Sequence, residues 1–261
     1  MPKVGIIAGS GFHEFEGVNT VDMRTIKTPF GEPSDAFRVC EASGSEFVFL
    51  SRHGTPHHIP PHMINYRANV WGLREMGVER IISVNAVGGI SPATKPGDMV
   101  IPDQVIDMTH GRAATFYDGD EVVHIDFTNP YCTELREVIL RAGRRSDTAL
   151  SESGVYVCVN GPRLESKAEI GYFSRIGADI VGMTVMPEAC LARELELCYA
   201  GVAIVTNYAA GITAKRLTTA EVVDVMKAAT ERIRNLVMDT LRHMPAKGTC
   251  GCSEALKEAR M

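Results

Sequence analysis

The chain has 261 residues, of which 45% are hydrophobic and 23% are charged, a composition typical of a globular protein with a sizeable core. Asp and Glu outnumber Lys and Arg by 32 to 27, and the net charge of −5 argues against a nucleic-acid or membrane partner. No apolar run approaches the ~20 residues of a membrane span, and the run 4–8 is too short for a signal peptide. We therefore expect a cytoplasmic protein.

Predicted strands and helices alternate along the chain. In order they are strand 4–8, strand 47–51, helix 65–76, strand 80–85, strand 99–102, helix 131–142, strand 154–160, helix 166–176, strand 178–182, helix 187–197, strand 200–207 and a long helix from Thr218 to Pro245. The turn-rich stretch 103–129 predicts an extended surface loop. This alternation predicts an α/β fold with a mainly parallel sheet. We interpret the chain as one domain, 1–246, followed by a C-terminal tail, 247–261.

Four of the predicted strands end in small or polar residues rather than in tight hairpins. These ends are residues 8–11, 52–54, 85–89 and 206–209. Ligands of α/β sheets collect at the carboxyl ends of the strands. The four segments are therefore candidates for one binding site.

Two of these ends carry groups that suit an anion. Gly9-Ser10-Gly11 offers backbone N–H groups and a hydroxyl, although a plain strand-to-loop turn explains it equally well. It has neither the third glycine of a dinucleotide fingerprint nor the lysine of a nucleotide P-loop. Arg52 offers a two-pronged donor set for phosphate and His53 a second donor; the alternative is a surface arginine beside a solvated histidine.

Four histidines lie close together in the sequence, at 53, 57, 58 and 62. Their spacing is irregular, and no thiolate or carboxylate lies close by. We therefore expect no metal site.

Ordered motifs along nearly the whole chain resemble one known family. They are Ile7-Ala8-Gly9-Ser10-Gly11, Ser51-Arg52-His53-Gly54, HMINYRAN at 62–69, VNAVGGI at 84–90, GPRLES at 161–166, GMT at 182–184, MPEA at 186–189 and Thr206-Asn207-Tyr208-Ala209. Each motif is modest alone, and together they are specific. Over residues 4–244 the chain resembles the trimeric purine nucleoside phosphorylases, and within them the 5′-methylthioadenosine phosphorylase branch.

The resemblance implies a fold, an activity and a set of site residues. The fold is one α/β domain with a mixed, barrel-like sheet flanked by helices, assembled into homotrimers or homohexamers. The activity is cleavage of a purine nucleoside by inorganic phosphate, a co-substrate, without a metal or organic cofactor. The implied phosphate ligands are Ser10, Arg52, His53, Asn85, Ala86 and Thr184. The implied nucleoside ligands are Leu164, Glu165, Met183, Asn207, Ala209, Thr219 and, for the neighbouring subunit's site, His124. Arg52, His53 and Asn207 are the expected catalytic residues.

Departures from the methylthioadenosine branch indicate which base is cleaved. That branch has aspartates where this chain has Asn207 and Ala209, and a serine where it has Glu165. Phosphorylases of inosine and guanosine carry Asn and Glu at the positions of Asn207 and Glu165. A carboxylate accepts from N1–H of a 6-oxopurine, and an amide donates to O6 while accepting from N7. We therefore expect hypoxanthine or guanine nucleosides. The alternative for Glu165 is that it points to solvent or caps the helix that follows it.

More than one 5′ substituent of the nucleoside fits the sequence. Thr219 stands where ordinary nucleoside phosphorylases carry histidine and the methylthio branch carries valine, and it also reads as a first-turn helix residue. A bacterial subgroup with the same VNAVGGI and GPRLE pattern acts on 5′-methylthioinosine. Inosine, guanosine and methylthioinosine all fit, with 5′-methylthioadenosine as the alternative. A nucleoside hydrolase and a non-catalytic nucleoside-binding module are the rival functions.

The seven cysteines divide into two groups. Five read as small core hydrophobes, namely Cys40, Cys132, Cys158, Cys190 and Cys198. The tail carries Cys250-Gly251-Cys252, which resembles a CxC element of some archaeal methylthioadenosine phosphorylases that is linked to disulfide chemistry. A CxC disulfide is small and labile. The other interpretation is a mobile tail with free thiols.

Overall fold

A computed structural model describes residues 3–9, 18–42, 44–214 and 218–261, with the side chain of Thr219 excepted. The strands in these ranges are β1 (Lys3–Ala8), β2 (Asn19–Arg24), β3 (Phe37–Ala42), β4 (Ser45–Ser51), β5 (Val78–Gly89), β6 (Met99–Val100), β7 (Gln104–Met108), β8 (Leu150–Ser151), β9 (Val155–Val159), β10 (Ile180–Gly182) and β11 (Cys198–Tyr208). The helices are α1 (Tyr66–Glu75), α2 (Thr133–Arg145), α3 (Lys167–Arg175), α4 (Val185–Glu194) and α5 (Thr219–Arg242).

The centre of the sheet is parallel, as the alternation of strands and helices predicts. β1 pairs in parallel with β4 on one side and with β5 on the other, and β5 pairs in parallel with β11. These strands are almost continuously buried because helices cover both of their faces. Consecutive residues therefore belong to different cores: Ile6 and Ile82 pack on one face, and Ile7 and Ile81 on the other.

The helices divide between the two faces of the sheet. α2 and α5 cover the first face, where their buried apolar side chains join one core. α1 and α4 cover the second face. α3 packs separately over the end of β11 through Ile170 and Phe173, which meet Ala209. No described helix is long and apolar enough to cross a membrane.

The sheet is mixed but open, which corrects the expectation of a barrel-like sheet. Its main path runs β2-β3-β4-β1-β5-β10-β9-β7, and β11, β6 and β8 branch from β5. The branch arises because β5 is long enough for two kinds of neighbour. β11 pairs with one side of β5 from Arg80 to Gly89. On the other side β1 pairs up to Val84, and the antiparallel β10 pairs at Gly88 and Gly89. The path therefore ends at β2 and β7 instead of closing.

Residues 103–129 are not all loop, contrary to the prediction. Their first part forms β7, which pairs in parallel with β9. β2, β3 and β8 were also not predicted from the sequence. All six residues of β2 are exposed, so this strand shows no apolar alternation. Edge strands of this kind are defined by their pairing partner and not by their own pattern.

Candidate active site

The carboxyl ends of β1, β4, β5 and β11 meet at one edge of the sheet, because these strands are parallel. The amide of Arg52 donates to the carbonyl of Ala8 at 2.9 Å, which joins the end of β4 to the end of β1. Gly9 follows and packs against the His53 ring, since a Cβ there would lie 3.5 Å from Cδ2 of that ring. The sheet thus assembles the segments that sequence analysis singled out.

Arg52 lies inside the protein and not at its surface. Its Nε donates to Oε2 of Glu188 at 2.8 Å, and its side chain is 1% exposed against 0% for Glu188. Burial opposes the guanidinium charge, but the Glu188 carboxylate outweighs burial and raises the pKa of Arg52. Nη2 donates to Ser83 Oγ at 2.7 Å and Nη1 to the Val84 carbonyl at 3.0 Å. The surface-arginine interpretation is therefore wrong.

Glu188 is the centre of this buried network. Besides Arg52, its Oε1 accepts from the Ser83 hydroxyl at 2.9 Å and from the Tyr199 hydroxyl at 2.8 Å. The carboxylate is thus fully hydrogen-bonded, as a buried charge requires. Its charge also neutralises that of Arg52. An anion at this edge would therefore be held mainly by directed hydrogen bonds and only weakly by net positive charge.

His53 has a fixed tautomer. Its Nδ1 lies 2.8 Å from the carbonyl oxygen of Ile59, so Nδ1 carries the proton and donates. Burial, the Arg52 charge and the nearby His57 lower the pKa of His53 to about 4. At neutral pH Nε2 is therefore an acceptor. This corrects the expectation of a second donor: Nε2 suits a phosphate that still carries a proton.

The segment after β10 runs back along β5 and brings Thr184 to Asn85. Ile180 pairs with Gly89 and Val181 with Gly88, so the antiparallel register places Thr184 opposite Asn85. Nδ2 of Asn85 donates to Oγ1 of Thr184 at 2.8 Å. The Thr184 hydroxyl makes no capping bond to α4. Because its oxygen accepts from Asn85, its O–H can be turned toward an anion. Ala86, the next residue, is exposed within an otherwise buried part of β5.

Arg112, which the sequence analysis did not select, holds the neighbouring loops together. Its Nη1 donates to the carbonyl of Met183 at 2.8 Å, and its Nη2 donates to the carbonyl of Asn160 at 2.8 Å. The half-buried Met183 side chain lies against Gly161, whose φ of +62° and close approach leave no room for a Cβ. Met183 and the start of the 161–166 motif are therefore neighbours. A lone arginine in a turn-rich segment carries no sequence signal of such a role.

Glu165 is half-buried at the entrance to α3, and it does not cap that helix. The cap is a reciprocal capping box between Ser166 and Glu169. Burial is the main cause of a raised pKa for Glu165. The capping alternative for Glu165 is therefore wrong, and the carboxyl is neither fully exposed nor occupied by the helix end.

Asn207 lies at the end of β11, beside a bulge in its pairing with β5. Its Oδ1 accepts from the Thr206 hydroxyl at 2.9 Å, and its Nδ2 donates to the Tyr208 carbonyl at 2.9 Å. Further along, Gly211 packs so closely on Lys167 that a Cβ would lie 2.5 Å from Cγ of that lysine. The segment that follows Asn207 thus contacts the helix that begins just after Glu165.

The remaining expected residues have different positions. Ala209 is 2% exposed and belongs to an apolar cluster, where its Cβ packs close to Gly88. Leu164 is 51% exposed. His124 is exposed near the C-terminal tail, and its amide donates to the Ala259 carbonyl. Ser10 lies outside the described residues. Thr219 begins α5, and its side chain also lies outside the described part of the chain.

Comparisons with known proteins agree with this architecture. The chain matches the family described as "Phosphorylase superfamily" over residues 3–242. It is 50% identical to a 6-oxopurine nucleoside phosphorylase of Pyrococcus furiosus, with 99% of each chain covered. It is 49% identical to a protein named probable S-methyl-5′-thioinosine phosphorylase of Thermodesulfovibrio yellowstonii, with 98% of this chain and 97% of the other covered.

A solved structure shows the same fold. Methylthioadenosine phosphorylase of Schistosoma mansoni, in complex with adenine, superposes with a TM-score of 0.93 at 32% identity, covering 100% of this chain and 99% of the other. With the parallel strand ends and the family match together, the chain belongs to the phosphorylase superfamily. The mixed α/β fold and the family predicted from the sequence are confirmed.

Proposed function

We propose that this protein cleaves 6-oxopurine nucleosides with inorganic phosphate, releasing the free base and a ribose 1-phosphate. The proposal rests on two groups of residues at neighbouring places in the fold. Arg52, His53, Asn85 and Thr184 converge at the strand ends, and Glu165 and Asn207 occupy contacting segments beyond them. Relatives at about half identity that cover nearly the whole chain bear names of this activity.

At the phosphate end, hydrogen bonds position the nucleophile. The Thr184 hydroxyl donates its hydrogen to a phosphate oxygen while its own oxygen accepts from Asn85. Nη1 of Arg52 donates one N–H to the Val84 carbonyl and has a second N–H without an acceptor among the described residues. We propose that this N–H donates to the same oxygens. Nε2 of His53 accepts the proton that HPO₄²⁻ still carries. Positioning of this kind lowers the barrier because phosphate then meets the anomeric carbon in line with the departing base.

At the base end, the two side chains complement a 6-oxopurine. The Glu165 carboxylate accepts from N1–H, and from the 2-amino group when the base is guanine. The Asn207 amide donates to O6, and its oxygen stabilises a protonated N7 as negative charge develops on the leaving base. Adenine would place a bare N1 lone pair against the carboxylate. Each such mismatch costs about 1–3 kcal/mol.

A second candidate is phosphorolysis of 5′-methylthioadenosine. It is favoured by a relative named S-methyl-5′-thioadenosine phosphorylase from Thermofilum pendens, which is 44% identical over 98% of each chain. Glu165 and Asn207 argue against it for the chemical reasons above. They do not bear on the 5′ substituent, so inosine, guanosine and 5′-methylthioinosine all belong to the proposal.

The proposed enzyme needs no organic cofactor and no catalytic metal, since phosphate is itself the nucleophile. We place it in the cytoplasm as a homotrimer or homohexamer, with His124 of one subunit reaching the 5′ side of a neighbour's nucleoside. The exposure of His124 in the single chain fits a residue that acts outside its own site. Closure of the site by a neighbouring subunit would keep water away from the sugar cation.

Specificity is tested by assaying five nucleosides in parallel with excess phosphate: inosine, guanosine, adenosine, 5′-methylthioinosine and 5′-methylthioadenosine. We expect kcat/KM for the hypoxanthine or guanine compounds to exceed that of the adenine compound with the same 5′ group by at least about tenfold. A higher kcat/KM for adenosine than for inosine, together with a higher kcat/KM for 5′-methylthioadenosine than for 5′-methylthioinosine, would contradict the proposed base. No base release from any of the five would favour the binding-module interpretation.

A further inference from the structure

Four cysteine sulfurs gather at one place far from the candidate active site. They belong to Cys132, Cys198, Cys250 and Cys252, and all four Sγ atoms lie within 4.8 Å of one another. Those of Cys198 and Cys250 are 3.4 Å apart. All seven cysteines of the chain are free thiols, and Cys252 is buried. The CxC pair is not a disulfide, and its free thiols agree with the second interpretation of the tail. Cys252 is packed into the core, however, and does not lie on a mobile tail.

The four sulfurs come from three separate parts of the fold. Cys132 is the N-cap residue of α2, and Cys198 is the first residue of β11. The other two flank Gly251 in the tail, where a short 3₁₀ helix begins. A hydrogen bond of 2.8 Å from the Cys132 amide to the Tyr199 carbonyl fixes the first two elements against each other. Two ligands on a rigid framework and two on one short turn form a preorganised chelating set.

Two neighbouring groups can stabilise negative charge on the sulfurs. The Leu135 amide at the start of α2 points at Sγ of Cys132 from 3.4 Å, so the positive end of the helix faces this sulfur. Nη1 of Arg193 lies 3.8 Å from Sγ of Cys252. Four thiolates around a divalent cation carry a net charge of −2, and these groups offset it.

We propose that Cys132, Cys198, Cys250 and Cys252 form a structural binding site for Zn²⁺. A tetrahedral ZnS₄ centre has Zn–S bonds of about 2.3 Å and therefore S···S edges of about 3.8 Å. The Sγ atoms of Cys198 and Cys250 are 3.4 Å apart, slightly closer than this edge, and all four Sγ atoms lie within 4.8 Å of one another. Small side-chain rotations therefore complete the tetrahedron. Binding replaces four thiol protons with one cation: four Cys–SH and Zn²⁺ give Zn(S–Cys)₄²⁻ and four H⁺. No oxidant or reductant is required.

The position of the site gives the metal a structural role. Cys198 begins β11 and Asn207 lies nine residues further along it, which is roughly 30 Å of extended strand. The ion is therefore remote from the reacting atoms. What it fixes is the tail, whose far end pairs with the loop 109–129 through a bridge between Val123 and Arg260. Holding the tail thus also holds the segment that carries His124.

The test begins with the metal content of the full-length protein purified without chelators. We expect about one Zn²⁺ per chain by mass spectrometry of the elements, and its release by a mercurial that reacts with thiolates. The reduced, metal-free protein titrated anaerobically with Co²⁺ alone should show the thiolate-to-cobalt charge-transfer absorption of a tetrahedral sulfur site, saturating at about one equivalent. Zn²⁺ should displace it.

Matched variants locate the ligands. Cys252→Ser should lower the bound Zn²⁺ several-fold and weaken the cobalt absorption, whereas Cys40→Ala, outside the cluster, should leave both unchanged. A chelator should lower the Tm of the wild-type protein but not that of Cys252→Ser. The proposal is overturned if the reduced wild-type protein binds neither Co²⁺ nor Zn²⁺ at the site. It is equally overturned if the protein as purified is metal-free and its mass is four hydrogens below that of the reduced chain, the loss expected when two disulfides form. Neither result bears on the proposed phosphorolysis.

Discussion

Asn207 is the residue whose chemistry most directly divides 6-oxopurines from 6-aminopurines. Its amide donates to O6, whereas an aspartate at the same position would accept from the 6-amino group of adenine. We predict that Asn207→Asp raises the ratio of kcat/KM for adenosine to that for inosine by at least about tenfold. The ratio is measured with both substrates at saturating phosphate. An unchanged ratio would remove Asn207 from the specificity argument.

Glu165 predicts a pH dependence. Burial raises its pKa above the usual value, so its carboxylate becomes protonated at a higher pH than an exposed glutamate. A protonated carboxyl cannot accept from N1–H, and kcat/KM for inosine should therefore fall as the pH falls through that pKa. By linkage, the same burial makes the charged carboxylate oppose folding at neutral pH, and this cost disappears on acidification.

The matched variant for this pH dependence is Glu165→Gln, which keeps the shape and cannot titrate. We predict that the pH profile of this variant lacks the fall in kcat/KM at acidic pH that is assigned to Glu165. At neutral pH its kcat/KM should be about tenfold lower than that of the wild type, because one charge-assisted hydrogen bond is lost. The measurement is a pH series of initial rates at low inosine. If wild type and variant share the same acidic limb, Glu165 does not titrate in the reaction.

Glu188 acts through Arg52 and is a positioning residue. Glu188→Gln leaves a buried guanidinium without its counter-charge, which costs about 3–5 kcal/mol of unfolding free energy. It should also raise KM for phosphate more than KM for inosine, since Arg52 loses its fixed orientation. The control is Glu137→Gln, which breaks exposed pairs with Arg141 and Arg144 that contribute about 0–1 kcal/mol. Equal destabilisation of the two variants would contradict the buried role.

At the scale of the elements, two helical glycines make opposite predictions. An added Cβ at Gly72 of α1 would lie 2.3 Å from the ring of Phe37 in β3, whereas one at Gly171 of α3 would meet nothing within 4 Å. Gly72→Ala should therefore cost about 1–3 kcal/mol through overpacking. Gly171→Ala should stabilise by about 1 kcal/mol through helix propensity. Urea unfolding measures the free energy of unfolding of both variants. If Gly72→Ala does not lower it, the close packing of Gly72 against Phe37 is contradicted.

The sequence predicts the buried elements well and the edges poorly. The apolar run of β1 and the stripe along α5 depend on local periodicity, and both elements lie where this pattern predicts. β2 and β7 lie at the two ends of the sheet, where exposed residues remove the alternation. The openness of the sheet depends on how β5 is shared among its neighbours, which is long-range information absent from any local window.

At the scale of the whole molecule, the candidate site residues could be selected from the sequence because they follow strand ends in motifs. The residues that contact them in the fold could not be predicted. Glu188 reaches Arg52 from α4, and nothing in the MPEA motif indicates that its carboxylate points into the sheet. The cysteine cluster was missed for the same reason: Cys132 and Cys198 follow the apolar pattern of a core, and only the fold brings the tail to them.

The proposed function requires that phosphate itself attacks the sugar. The direct measurement is ³¹P NMR of the purified protein with inosine and inorganic phosphate, together with quantification of free hypoxanthine. We predict that ribose 1-phosphate and hypoxanthine appear in equal amounts, and that neither forms when phosphate is omitted. Hypoxanthine released at the same rate without phosphate, with free ribose as the other product, would show a hydrolase and contradict phosphorolysis.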